Sequence, residues 1–129
     1  TITIFPTHKK LIEERCEENI KAILKEIINR NSHPVLLTII EPRKTFNLDR
    51  LKWNNSVLRA LRRINKKLLS FQSDNVTVLD TNSLLNPELD FTDHIHLSPS
   101  GYRKLNHALR PILLRSLQAQ TDHHKNQLN

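Results

Sequence analysis

Methionine is missing altogether from these 129 residues, and glycine, cysteine, tryptophan and tyrosine occur once each. Translation starts on methionine, so a chain without one is expected to be processed or to be a piece of something longer. The lone Cys16 excludes an internal disulfide and a cysteine-rich structural metal site; within a helical pattern it reads as a small buried apolar residue. Gly101 is the only glycine, so none of the serines stands in a Gly-x-Ser-x-Gly or Gly-Asp-Ser setting. No apolar run approaches the length of a membrane span, and no basic-then-apolar segment opens the chain. Neither a span nor a secretion signal is visible, and an intracellular setting is expected.

An apolar fraction of 37% and a mean hydropathy of −0.50 fit one soluble α/β domain with a modest core. Ile2, Ile4 and Phe5 form a short strand-like run that Pro6 is expected to close. A helix is predicted from about Lys10 to Arg30, because Leu11, Ile12, Cys16, Ile20, Ile23, Leu24, Ile27 and Ile28 recur at three and four. Turn residues from Asn29 to Pro34 end it, and Val35–Ile40 is a continuous β-rich run of the kind buried on both faces of a parallel sheet. A loop with Thr45, Phe46 and Asn47 leads to a second amphipathic helix, from about Leu48 to Phe71. Asn75–Asp80 is a third strand, followed by a loop to Thr92. The last helix starts with Ser98 as N-cap and Pro99 at its first position and is expected to end near Leu117, with a kink at Pro111. Residues 1–117 then form the domain, and the polar residues 118–129 a frayed, disordered tail. Alternating strands and helices predict a three-layer α/β/α fold around a parallel sheet. Function in such sheets gathers at the carboxyl ends of the strands.

At that edge the chain reads Asp93-His94-Ile95-His96-Leu97-Ser98-Pro99-Ser100-Gly101-Tyr102. An acid and a histidine three apart on one tight turn can face each other. The carboxylate then accepts the Nδ1 proton and leaves Nε2 as a general base. Ser98 and Ser100 are close in sequence, but helix capping accounts for both. His94 and His96 without a third ligand do not make a metal site. Asp80, at a strand end, reads as a hydrogen-bonding residue of the loop.

Asp93-x-x-His96-Leu97-Ser98-x-x-Gly101-Tyr102 followed by a helix resembles the last conserved block of the SGNH (GDSL) hydrolase superfamily, serine esterases and lipases on a flavodoxin-like sheet. The order of elements from Ile2 to Leu117 is similar to the C-terminal part of that domain. The resemblance implies the SGNH fold lacking its first two strands. It also implies hydrolysis of a carboxylic ester through an acyl-enzyme, with His96 as base and Asp93 as its orienting acid. The family's nucleophile lies in an early Gly-Asp-Ser turn that has no counterpart here, so this chain alone is expected to be inactive. Its oxyanion Asn corresponds to His8, in Pro6-Thr7-His8-Lys9, which makes His8 the candidate donor. No metal or organic cofactor is implied.

Charge offers a second reading. Between Arg43 and Ser73 nine basic residues face one acid, giving that stretch +8 of the total +7 and leaving −1 for the remainder. Arg59, Arg62, Arg63, Lys66 and Lys67 lie opposite the apolar stripe of the second helix. They are candidates for an anion-facing surface, toward nucleic acid or acidic lipid, in a catalytically inactive binding or assembly module. Only Phe46, Trp53 and Phe71 are nearby to stack on bases.

Overall fold

The computed structural model describes residues 5–43 and 55–127, with side chains described for 10–43, 55–119 and 121. Its elements are α1 (Phe5–Asn29), β1 (Val35–Leu37), α2 (Asn55–Leu69), β2 (Thr77–Leu79), α3 (Thr81–Leu84) and α4 (Pro99–Gln127). β1 and β2 pair in parallel, Val35 against Thr77, Leu36 against Val78 and Leu37 against Leu79. A parallel pair needs a crossover between its strands, and α2 provides it. The chain is α/β.

Most boundaries follow from local chemistry. α1 ends in a Schellman motif. Asn31 takes a left-handed φ of 54°, Ser32 N–H reaches the Ile27 carbonyl at 3.2 Å, and Asn31 N–H reaches that of Ile28 at 2.9 Å. Three expectations change. Phe5 and Pro6 belong to the first turn of α1 rather than to the end of a strand, because a first-turn proline gives up an N–H that no helix bond uses. Residues 1–4, the Thr45–Asn47 loop and 48–54 of the second helix lie outside the described residues. α4 runs through Pro111 and on to Gln127, where a frayed tail from 118 was expected; nothing in Gln118–Gln127 breaks a helix, since it holds neither glycine nor proline. The expected 81–92 loop also contains the short α3, with Asp80 as its N-cap accepting from Asn82 N–H at 3.2 Å.

The core centres on Leu85, Phe91 and Leu97, with Ile40 and Leu105 packed against them. Beside it Thr38 N–H still meets the Leu79 carbonyl of β2 at 3.0 Å, and from there the chain leaving β1 is held by side chains instead of a strand. Asn65 of α2 accepts from Ile39 N–H and donates to its carbonyl, both at 2.8 Å. Asn82 of α3 donates to the same carbonyl at 2.9 Å and accepts from Glu41 N–H at 2.7 Å. Buried Thr81 donates to the Thr38 carbonyl at 2.9 Å. Asparagine suits this task because its amide is a donor and an acceptor in one plane, the same pairing a neighbouring strand offers. Residues 38–41 are thereby fixed at the carboxyl edge of the sheet. α1 and α2 lie side by side, joined by ion pairs from Arg63 to Glu13 at 2.5 Å and from Lys67 to Glu17. Among the described residues no helix is long and apolar enough to cross a membrane.

Candidate active site

After α3 the chain forms a hairpin that ends at α4. Its base is closed by Ser98 N–H on the Asp90 carbonyl at 2.8 Å, and above it Thr92 N–H meets the His96 carbonyl at 2.9 Å. Phe91 and Leu97 bridge between these bonds and are both buried, so the two apolar residues anchor the hairpin while residues 92–96 stand out from it. Arg43 N–H binds the His94 carbonyl at 2.7 Å, tying the tip to the loop that follows β1.

Asp93 and His96 meet at this tip. His96 Nδ1 lies 2.6 Å from Asp93 Oδ2. The other oxygen, Oδ1, accepts the backbone N–H groups of Ile95 at 2.9 Å and His96 at 2.8 Å. Those backbone donors, His96 N–H first and Ile95 N–H second, together with the His96 ring, hold the Asp93 carboxyl well below the usual carboxylate range. An ionised carboxylate only accepts, so the short contact requires the proton on Nδ1. Nε2 is then the free acceptor, the tautomer a general base needs. The His96 side chain is 69% exposed, open to an approaching hydroxyl.

The two serines nearest His96 in sequence are engaged elsewhere. Ser98 Oγ donates to the Leu89 carbonyl at 3.0 Å and accepts from Gly101 N–H at 3.3 Å, as an N-cap does. Ser100 Oγ donates to Asp90 Oδ1 at 2.7 Å. His8 falls in the first turn of α1, and its side chain lies outside the described residues. Of the five basic candidates on α2, Arg62 pairs with Glu41 at 3.0 Å, Arg63 with Glu13 and Lys67 with Glu17. Arg59 and Lys66 have no ion pair among the described residues. Phe71 sits beneath Lys21, whose Nζ is 6.0 Å from the ring centre.

The residue that sequence reasoning passed over is Asp90. It is fully buried, and its carboxylate receives Lys104 Nζ at 2.6 Å, Asn86 N–H at 2.6 Å and Ser100 Oγ at 2.7 Å. Lys104 first, then the Asn86 N–H, bring its pKa down to about 2 against the opposing effect of burial. Gly101 owes its identity to the same residue. A Cβ there would collide with the Asp90 carbonyl oxygen and come within 3.2 Å of the Asp90 and Leu97 β-carbons. Helix α4 therefore sits directly on the hairpin base because its third residue has no side chain. The only available signal was the acid three residues before Asp93, with Ser100 and Lys104 on one face of the helix beyond.

Compared with known families, residues 7–109 match the family model described as GDSL-like Lipase/Acylhydrolase. No curated protein and no solved structure matches the chain.

Proposed function

The chain belongs to the GDSL-like lipase/acylhydrolase family, and from that premise we propose that it is the C-terminal part of a serine ester hydrolase whose catalytic histidine is His96. The reading rests on one observation above all, the 2.6 Å contact between His96 Nδ1 and an Asp93 carboxylate already fixed by two backbone N–H groups. A serine from a segment outside these residues would be the nucleophile. His96 Nε2 takes its hydroxyl proton as the oxygen bonds to the ester carbonyl carbon. The imidazolium, stabilised by Asp93, then passes that proton to the leaving alcohol as the C–O bond breaks. Water repeats the sequence on the acyl-enzyme and releases the acid. His8 is the candidate oxyanion donor.

The test is hydrolysis of a short-chain chromogenic ester by the complete protein. His96→Ala is expected to lower kcat by about 10⁴-fold or more, and Asp93→Asn by roughly 10³- to 10⁴-fold through loss of the tautomer. His8→Ala in the same assay costs roughly 10²- to 10³-fold if His8 serves the oxyanion. A His96→Ala protein that hydrolyses esters at the native rate sinks the assignment. The binding-module reading gains no support from the geometry, since Arg62, Arg63 and Lys67 are engaged by acids of this same chain.

A further inference from the structure

We infer that Asp90 is a positioning residue for the His96–Asp93 pair, acting through the hairpin that carries it; this rests on reading that pair as the catalytic dyad. The Asp90 backbone and side chain do different jobs at one point. Its carbonyl accepts Ser98 N–H at 2.8 Å and closes the hairpin on the residue that caps α4. Its carboxylate reaches past that cap to Ser100 at 2.7 Å and Lys104 at 2.6 Å, in the first two turns of the helix. It also takes Asn86 N–H at 2.6 Å, from the loop on the other side. One buried group thus sets the position of the hairpin base relative to both the preceding loop and the helix.

The dyad depends on that base because the Ile95 and His96 N–H bonds to Asp93 and the Thr92–His96 bond hold the pair within its own turn and do not attach the turn to α4. Asp93 and His96 are exposed side chains on a short turn. Above the base they are fixed by the Phe91–Leu97 bridge and the Arg43 bond to His94. A carboxylate at the start of α4 is also favoured by the partial positive charge of a helix N-terminus. Asparagine at position 90 keeps the size but turns one acceptor into a donor facing groups that already donate. The hairpin base must then shift, and misplacement of about 1 Å at a reacting group costs roughly 10²-fold in rate.

The experiment is a histidine nitrogen-15 NMR measurement of the His96 tautomer and Nδ1–H exchange, made well below the melting temperature of each variant. The native protein is expected to hold the Nδ1–H tautomer. In Asp90→Asn the Nδ1 proton is expected to exchange about tenfold faster or more, with the Nε2–H tautomer becoming populated. Ser100→Ala and Lys104→Met each remove one tie and are expected to shift the same signals by less. Loss of stability alone speeds exchange through opening but leaves the folded-state tautomer unchanged, so the tautomer decides. Native-like signals in every variant that still melts cooperatively overturn the inference. Ester hydrolysis by the complete protein separates the two claims. A kcat lowered about tenfold or more in Asp90→Asn, with KM within about twofold, supports positioning. An altered tautomer in a protein that hydrolyses no ester sinks the proposed function and leaves the positioning role standing. Full activity in Asp90→Asn with loss in His96→Ala does the reverse.

Discussion

Asp90 and Asp93 are the same residue type three positions apart, yet only one was legible. Asp93 declares itself through local spacing, because an aspartate at a turn start captures the N–H groups two and three residues on. The partners of Asp90, at Asn86, Ser100 and Lys104, are joined by a fold that brings loop and helix together, and a linear pattern does not show that. Both carboxylates are more acidic in the folded protein than in an unfolded chain, where aspartate titrates near ~3.9. The unfolded state therefore binds protons more tightly at low pH. The stability these groups contribute is complete above about pH 5 and is lost as pH falls through ~4 towards 2. Glu17, lowered to about 2 by its hydrogen bonds from Lys21 and Lys67, acts in the same direction. Thermal melts should show the melting temperature falling steadily below about pH 4.5. An unchanged melting temperature down to pH ~2.5 contradicts carboxylates held this low.

At the scale of elements, periodicity located the helices because an amphipathic stripe is a local property. The three-and-four spacing of Leu58, Leu61, Ile64 and Leu68 is present in α2 as folded. Strand length was harder to read. Val35–Ile40 looks uniformly β-rich, but only Val35–Leu37 pairs with β2; Asn65 and Asn82 take over the Ile39 backbone, and nothing in their neighbourhoods announces it. The charge on α2 was visible without its partners, which lie on α1 and in the loop after β1. Arg63 grips Glu13 with two nitrogens, and the Glu13 side chain is only 13% exposed; Arg59 has no such contact among the described residues. Arg63→Ala is expected to lower the denaturation midpoint at low salt, with most of the effect screened near 1 M salt. Arg59→Ala is expected to stay within about 0.5 kcal/mol. Denaturant titrations at two salt concentrations check the contrast, and equal effects from the two arginines refute the structural role given to the α1–α2 ion pairs.

For the molecule as a whole, the family and the α/β class were legible because a short block, Asp93 to Tyr102, and the order of the elements carry them. The extent of burial was not. The periodicity of α1 predicts one continuous buried stripe, yet among its described residues Leu24 is the only buried apolar one, while Ile12 is 64% and Ile23 59% exposed. Dimensions explain the mismatch. Twenty-five residues of helix span ~37 Å at 1.5 Å each, whereas a three-residue strand is ~10 Å long. A sheet of two such strands covers only part of the stripe. The stripe's exposed residues, Leu11, Ile12 and Ile23, attract other apolar surface and hydrophobic dyes. This polypeptide, Thr1–Asn129, is therefore expected to sediment as a concentration-dependent mixture and to enhance the fluorescence of an apolar dye. Ile12→Lys with Ile23→Lys should reduce both while leaving the melting temperature nearly unchanged, because neither side chain is buried in the monomer. A single monomeric species across the micromolar range, with no dye response, would mean that the stripe is covered after all and that the exposure of Ile12 and Ile23 is not that of the molecule in solution.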